Sequence, residues 1–234
     1  CGTMAAEVVA AARDAGTYAF LKHFAVNNQD SYRDSLYTWL TEQSLREIYL
    51  APFQRAVERG TTGLMTSYNR IGATWAGGSR ALLTSVLRGE WGFEGAVITD
   101  YADHQTYMNA DEMLRAGGDL YMDGVFRNGA FAYGFTQDEL LAAEGTPEEP
   151  RAVSYLTNLR RATKNVLYTW LNARATNLAY NEAAASVGEP GIERPVKTQG
   201  FNYVGTALAI ADAVAGVGVI AWAHRVLERR RMRR

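Results

Sequence analysis

The sequence contains a single cysteine, Cys1, among 234 residues. One cysteine excludes an internal disulfide and any metal site built from several thiolates. No strong excess of charge is present either, because the formal net charge is -1 and 21% of the residues are charged. With 47% hydrophobic residues, the composition excludes a disordered chain and a uniformly basic nucleic-acid-binding protein. A folded protein with a buried core remains.

The chain also lacks an initiating methionine, and no secretory signal precedes its first amphipathic segment. We therefore expect a piece of a longer protein, although a complete, inactive protein is the alternative. The near-zero net charge hides an asymmetry. The last ten residues hold six arginines and one glutamate, a net charge of +5 that leaves -6 for the rest.

Short apolar segments alternate with amphipathic ones along the first half of the chain. This alternation predicts parallel strands covered by helices. Four such units amount to about half of an eight-fold β/α barrel. An open doubly wound sheet is the alternative, but the glycine-rich phosphate loop expected after its first strand is missing. We therefore predict the C-terminal portion of a TIM-like (β/α) barrel over residues 1–174. The predicted strands are Thr17–Lys22, Thr62–Ser67, Gly95–Asp100 and Asp119–Met122.

The last sixty residues differ in character. Residues 175–203 are rich in Gly, Pro and polar side chains and predict a linker. Residues 204–223 contain no Lys, Arg or Glu, and 20 residues just span a hydrocarbon core. Arginines follow on one side alone, so residues 204–224 predict a transmembrane helix and 225–234 a cytoplasmic tail, with the barrel outside the cell.

Two alternatives to a spanning helix remain open, an interfacial anchor and a soluble packing helix. Asp212 lies near the middle of the segment, which costs about 2.5 to 3.5 kcal/mol on insertion scales. A nucleic-acid-binding role for the arginines is disfavoured, because the basic run is short and adjoins an apolar segment.

Functional groups of a parallel barrel gather at the carboxyl ends of its strands. The predicted strand ends supply a cation, an imidazole, a phenol and carboxylates, a set that suits a polyhydroxylated ligand. Asp100 follows four apolar or β-branched residues, so its carboxylate leaves a rigid strand. A carboxylate that attacks the anomeric carbon is the nucleophile of retaining glycosidases. The residues at these ends are Lys22, His23, Ser67, Tyr68, Asn69, Asp100, Tyr101 and Asp119.

Five segments, in order and spacing, resemble the catalytic barrel of glycoside hydrolase family 3, over residues 1–123. The resemblance implies a retaining, exo-acting, β-glucosidase-like enzyme that forms a covalent glycosyl-aspartate and uses neither metal nor cofactor. Its substrate would be an oligosaccharide or another β-glycoside. The segments are KHFAVNNQ (22–29), LREIYLAPF (45–53), MTSYN (65–69), LRGEWGFEGAVITD (87–100) and AGGDL (116–120).

The same resemblance implies roles for individual residues. Asp100 corresponds to the nucleophile, and the Lys22–His23 pair corresponds to the residues that bind hydroxyls of the sugar at the cleavage subsite. Arg33 is expected to support the pocket and the nucleophile region.

Three further positions match residues near the nucleophile. Met65 and Tyr68 lie in the MTSYN segment, and the Tyr68 hydroxyl is expected to hydrogen-bond Asp100. Tyr101 stands where the family has a tryptophan, so it keeps an aromatic wall of different shape.

Other segments resemble a branch of the family with permuted domain order and hydrophobic anchors. They are RIGATWAGGS (70–79), ITDY (98–101) and KNVLYT (164–169). In that branch the barrel lies at the C-terminal end, which agrees with the predicted membrane helix. The KHFPGHG sequence of the N-acetylhexosaminidase branch is absent, so its histidine-based acid/base arrangement is not implied.

The general acid has no candidate in the sequence. Asp103, Asp119 and Asp123 are each expected to cap helices or be solvated. We therefore expect the acid, the missing N-terminal half of the barrel and an α/β domain to come from elsewhere in the same protein, so that this chain alone is an incomplete catalytic unit. The alternative function is a non-catalytic carbohydrate-binding remnant on a membrane anchor. Four tryptophans are expected in the core: Trp39, Trp75, Trp91 and Trp170. Of these, Trp75 is also a candidate for lining the pocket.

Overall fold

The computed structural model describes residues 1–102, 107–122, 135 and 137–173. By internal contacts the chain divides into the units Cys1–Glu182 and Ala183–Arg234, and every described residue belongs to the first. The predicted linker, transmembrane helix and basic tail lie outside the described residues. Within the described ranges, no helix is long and apolar enough to cross a membrane.

Helices and short strands alternate along the described chain. The strands are β1 (Phe20–Phe24), β2 (Tyr37–Thr38), β3 (Gly63–Thr66), β4 (Arg70–Ile71), β5 (Thr74–Trp75) and β6 (Ala96–Ile98). The α-helices are α1 (Gly2–Asp14), α2 (Glu42–Ser44), α3 (Ala51–Glu58), α4 (Ala110–Ala116), α5 (Gln137–Ala142) and α6 (Glu149–Leu171). Two π-helical segments, Leu45–Leu50 and Ala81–Glu90, and one 3-10 turn, Ala76–Gly78, complete the set that the described residues form.

The main sheet is parallel, with strand order β1-β3-β6. Leu120 extends it by a parallel bridge to Ile98. The strands therefore lie side by side in chain order, as consecutive strands of a β/α barrel do, whereas a doubly wound sheet reverses its order at a switch point. This confirms the predicted parallel strands. The first begins at Phe20 rather than Thr17, and the fourth is reduced to one bridge.

The core lies between one face of this sheet and the helices that follow its strands. Apolar side chains from alternate strand positions meet those of α3 and the π-helical segments, which is the packing expected of a parallel sheet covered by helices. Its fully buried members include Phe24, Leu50, Leu64, Leu83, Leu87 and Val97.

A second, small sheet has the order β2-β4-β5. β2 runs parallel to β4, and β4 pairs with β5 in an antiparallel hairpin. The hairpin turn contains Gly72, whose φ of 60° suits glycine. Because β2 follows β1 and β4 follows β3, this sheet stands beyond the carboxyl ends of both strands.

The long helix α6 fastens the opposite end of the main sheet. Thr169 Oγ1 accepts a hydrogen bond from the Ala96 amide at 2.8 Å and donates one to the Thr62 carbonyl at 2.8 Å. One buried hydroxyl thus joins the beginnings of β3 and β6.

Asp119 belongs to this same end, away from Asp100. Its fully buried carboxylate pairs with Arg88 at 2.6 Å and accepts hydrogen bonds from the Val97 amide and the Asn165 side chain. Burial raises the pKa of Asp119 above its ordinary value, and the charge of Arg88 opposes that rise. The expectation that Asp119 caps a helix or is solvated is therefore wrong. It connects α6, β6 and a π-helical segment.

Candidate active site

The Asp100 carboxylate is held at the carboxyl end of β6. The chain beyond the strand is fixed at Thr99, whose amide donates to the Leu120 carbonyl at 3.0 Å and whose hydroxyl accepts from the Met122 amide at 2.8 Å. Asp100 is only 7% exposed. Its Oδ1 accepts a hydrogen bond from the Tyr101 amide at 2.8 Å. This hydrogen bond from the backbone fixes the direction of the carboxylate.

His23 holds the other carboxylate oxygen. Its Nε2 lies 3.1 Å from Asp100 Oδ2. Burial lowers the pKa of His23 below its ordinary 6.5; the negative charge of Asp100 opposes this shift, while the positive charges of Lys22 and Arg33 reinforce it. The imidazole is therefore neutral at pH 7, and its Nε2 makes a polar contact with the Asp100 carboxylate.

Lys22 and Met65 belong to the neighbouring strands β1 and β3. Lys22 is exposed on β1, directly before His23. Met65 pairs in register with Ile98 on β6. Because strand side chains alternate between faces, Met65 shares its face with Ile98 and with the next alternate position, Asp100. The structure thus places the Met65 thioether on the face of the sheet that carries the carboxylate, and it leaves the Lys22 ammonium group exposed next to His23 in the chain.

Arg33 and Tyr68 form a stacked pair. The Arg33 guanidinium carbon lies 4.6 Å from the centroid of the Tyr68 ring, and Arg33 also pairs with exposed Asp30 at 2.9 Å. Tyr68 is buried. This cation–π contact fixes the planes of both groups, so Arg33 is placed to support Tyr68. The expected bond between the Tyr68 hydroxyl and Asp100 stays a prediction.

Tyr101 contributes differently from its backbone and its side chain. The amide holds Asp100, whereas the side chain is 57% exposed. The ring is therefore available as one wall of an open pocket.

Buried hydrogen bonds fix the loop that carries Tyr68. The Ser67 hydroxyl and the Asn69 amide both donate to the Ala25 carbonyl, at 2.9 and 3.1 Å. The Trp75 indole N–H donates to the Ser67 carbonyl at 2.9 Å. Trp75 is buried as expected, and its hydrogen bond shows that it stabilises the loop that carries Tyr68.

Sequence reasoning missed Arg70 and Tyr107. The Arg70 guanidinium carbon lies 4.7 Å from the Tyr37 ring centroid and 4.0 Å from that of Tyr107. Tyr107 in turn donates its hydroxyl hydrogen to the Tyr68 carbonyl at 2.9 Å, and burial raises its pKa. Aromatic and basic residues are common in loops, so only the register of β2 with β4 could have identified this stack.

Two predicted core residues are instead exposed. Trp39 is 76% and Trp170 is 51% solvent-accessible. Trp39 lies directly after β2, beside the stack around Arg70. This exposed tryptophan is therefore at the same end of the main sheet as Asp100.

Candidates for a second reactive carboxyl remain few. Asp119 is occupied by Arg88 at the other end of the sheet, and Asp103 and Asp123 lie outside the described residues. In the part of the chain that the structure covers, no cluster of His, Cys, Asp or Glu could hold a metal ion. Chemically, the site offers an oriented carboxylate beside an imidazole.

Comparison with known proteins gives a consistent result. The Rhizobium radiobacter protein named beta-glucosidase is 31% identical over 219 residues, covering 91% of this chain and 25% of that protein. The probable beta-glucosidase J of Neosartorya fischeri is 40% identical over 142 residues, covering 59% and 16%. The chain thus spans a quarter or less of the length of these curated relatives.

Solved structures show the same likeness. Beta-glucosidase 3B from Thermotoga neapolitana, in complex with glycerol, superposes with a TM-score of 0.60 at 32% identity, over 75% of this chain and 24% of that one. Beta-glucosidase D2-BGL from Chaetomella raphigera gives 0.63 at 28% identity, over 75% and 23%. The family described as glycosyl hydrolase family 3 N terminal domain matches residues 1–125. More than half of the sequence carries this match, and the chain belongs to glycosyl hydrolase family 3.

Proposed function

We propose that this chain carries the nucleophile of a retaining exo-β-glycosidase that releases a terminal sugar from a β-glucoside-like substrate. The observation that supports this most directly is the Asp100 carboxylate, which is buried at a strand end and held through both oxygens. The curated relatives named as beta-glucosidases point to the same class of substrate.

In the proposed reaction, Asp100 attacks the anomeric carbon of the terminal sugar. The bond from that carbon to the leaving-group oxygen breaks, and a general acid gives this oxygen a proton. The deprotonated acid then removes a proton from a water molecule, whose oxygen attacks the anomeric carbon. The bond from this carbon to the Asp100 oxygen breaks, which restores the carboxylate and releases the sugar with its original anomeric configuration. The Tyr101 amide on Oδ1 and the His23 imidazole beside Oδ2 keep Asp100 aligned for both steps.

We assign sugar binding to the groups around Asp100. Lys22 would donate to sugar hydroxyls, and Nδ1 of a neutral His23 would accept a hydrogen bond from one of them. Met65 and Tyr101 would provide apolar contacts to the sugar ring. Arg33, stacked on Tyr68, would keep the pocket wall in place.

The general acid is proposed to lie outside these 234 residues. Retaining chemistry needs a second carboxyl about 5 to 5.5 Å from the nucleophile. We propose that the first barrel strands, the acid and an α/β domain belong to the rest of the same polypeptide. The short share of the relatives' length that the chain spans supports this proposal.

We further propose the membrane-anchored branch with permuted domain order. The apolar segment 204–223 and the six arginines after it support a single-pass helix with the catalytic part outside the cell. Carbonate extraction and protease digestion of intact cells test this. Release of the protein by carbonate would refute the anchor, and protection of the barrel from external protease would refute its orientation.

Covalent trapping tests the catalytic proposal. The full-length protein is incubated with a 2-fluoro-β-glucosyl fluoride, which forms the glycosyl-enzyme but turns over slowly, and the labelled peptide is identified by mass spectrometry. We expect one label, on Asp100, that is absent from Asp100→Ala. Label on another residue would refute the assignment. A protein that binds glucose but is never labelled would be the carbohydrate-binding remnant.

A further inference from the structure

The small sheet presents an aromatic face to solvent. Tyr37 and Trp39 are two positions apart and therefore lie on the same side of an extended chain. Tyr37 is 52% and Trp39 is 76% exposed. Exposed aromatic groups clustered in this way mark binding surfaces. We call Tyr37, Trp39, Arg70 and Gly72 the aromatic shelf.

Each exposed ring of the shelf has a partner on β4 or in the turn after it. Tyr37 pairs in register with Arg70, whose guanidinium lies 4.7 Å from the Tyr37 ring centroid. Trp39 lies against Gly72, where an added Cβ would be 3.6 Å from the indole. Backbone therefore supports one face of Trp39 while the ring as a whole remains largely exposed. Rings held in this way bind a flat apolar ligand surface with little loss of conformational entropy.

The shelf is continuous with the candidate active site. On its inner side, Arg70 stacks on Tyr107 at 4.0 Å, and the Tyr107 hydroxyl donates to the Tyr68 carbonyl. Tyr68 stacks against Arg33, and the charge of Arg33 acts on His23. Gly72 follows Tyr68 closely in the chain, so their Cα atoms are at most about 14 Å apart.

We propose that the aromatic shelf binds the leaving-group sugar of a β-linked disaccharide or oligosaccharide. This inference rests on the proposed function, because the terminal sugar must occupy the site at Asp100. The C–H face of a pyranose ring is apolar and its edge carries hydroxyls. Trp39 and Tyr37 match the apolar face, and the guanidinium of Arg70 supplies hydrogen-bond donors for the edge.

The test compares two substrates that share the terminal sugar. Cellobiose has a sugar as leaving group, and methyl β-D-glucoside has only a methyl group. In the full-length protein, Trp39→Ala is expected to lower kcat/KM for cellobiose by about tenfold, the loss typical of one aromatic contact. kcat/KM for methyl β-D-glucoside and inhibition by glucose should stay at parent values. Trp39→Phe should restore most of the cellobiose activity.

Trp170→Ala is the matched control. Trp170 is also an exposed tryptophan, but its neighbour Thr169 contacts the opposite end of the main sheet. Equal losses on both substrates with Trp39→Ala would overturn the inference. Unchanged kinetics with lower thermal stability would also overturn it, because the aromatic shelf would then pack against another part of the protein instead of binding sugar. If the parent protein hydrolyses neither substrate and takes no 2-fluoro label, the proposed function itself fails.

Discussion

His23 Nε2 lies 3.1 Å from Asp100 Oδ2, and the two residues come from strands on opposite sides of β3. The contact therefore exists only when β1, β3 and β6 are assembled in order. It couples the proposed nucleophile to the residue pair that is expected to bind the sugar. Folding of the sheet thus also brings the imidazole to the carboxylate.

Replacing the proposed nucleophile tests the centre of this arrangement. Asp100→Ala in the full-length protein is expected to lower kcat by about 10³-fold or more, because the side chain that forms the glycosyl ester is removed. Glucose affinity, measured by calorimetry, should be retained, since Lys22 and His23 remain. Added azide should restore part of the turnover by attacking the anomeric carbon from the vacated side.

Asp14→Asn serves as the control for this variant. Asp14 is an exposed aspartate at the end of α1, and its replacement should leave kcat unchanged. Parent-level turnover by Asp100→Ala would show that another group is the nucleophile.

The buried position of His23 predicts a pH dependence of stability. Its folded-state pKa lies below 6.5, so between that lowered value and 6.5 the unfolded chain binds more protons than the folded chain. The free energy of unfolding therefore rises as pH rises through this window, and the full contribution is present above 6.5. Urea denaturation at a series of pH values should show this slope, and His23→Gln should reduce it.

The same variant separates a positioning role from a purely structural one. In His23→Gln the introduced side-chain amide keeps a polar group near Asp100 but cannot titrate. We expect His23→Gln to lower kcat and to remove one ionisation from the acid limb of the kcat profile. An acid limb identical to that of the parent would contradict a role for His23 at the carboxylate.

Asp119 provides a prediction about stability alone. Asp119→Asn keeps the shape of the side chain but leaves buried Arg88 without its counter-charge. Removal of one partner of a buried ion pair costs about 3 to 5 kcal/mol of unfolding free energy. Urea denaturation of the 234-residue chain measures this loss. Glu7→Gln, which breaks an exposed pair with Arg59 at 3.5 Å, should leave the midpoint unchanged, and equal effects of the two variants would refute the role given to Asp119.

The local sequence pattern predicted a strand well where both its apolar residues and the residues on either side of it were typical of a strand. β3 and β6 lie inside the predicted segments, because apolar or β-branched residues there follow Gly or Thr and precede polar residues. β1 begins three residues late. Gly16, with a φ of 92°, ends α1, and the chain needs several more residues before it reaches the sheet.

The incorrect expectations concern contacts between distant residues. The local sequence around Asp119 predicts a capping residue because it does not show the partners of the carboxylate. Arg88 is 31 positions away and Asn165 is 46 positions away. Trp39 is predicted to be a core residue because tryptophan is usually buried, yet its side chain is exposed on the small sheet. Residue type and spacing thus located Asp100 and His23 at the ends of strands in one sheet, whereas pairing across the fold decided what surrounds them.

The start of β6 depends on the absence of a side chain at Gly95. A Cβ at this position would overlap the Thr62 carbonyl oxygen, and that oxygen accepts hydrogen bonds from Ala96 and Thr169. Gly95→Ala must push β6 away from β3 and weaken both bonds. We expect an unfolding free energy lower by about 1 to 3 kcal/mol, as for other overpacked sites, measured by urea denaturation.

Gly89→Ala is the matched control for this substitution, because Gly89 lies within the helical segment Ala81–Glu90. Alanine has the higher helix propensity there, and its Cβ would be 3.3 Å from the Thr84 carbonyl oxygen, a contact that a small shift relieves. Its stability should therefore stay close to that of the parent. Since Gly95 precedes the strand that carries Asp100, Gly95→Ala should also reduce 2-fluoro-sugar labelling of the folded protein. Parent-level stability and labelling in Gly95→Ala would show that the approach of β6 to β3 does not set the position of Asp100.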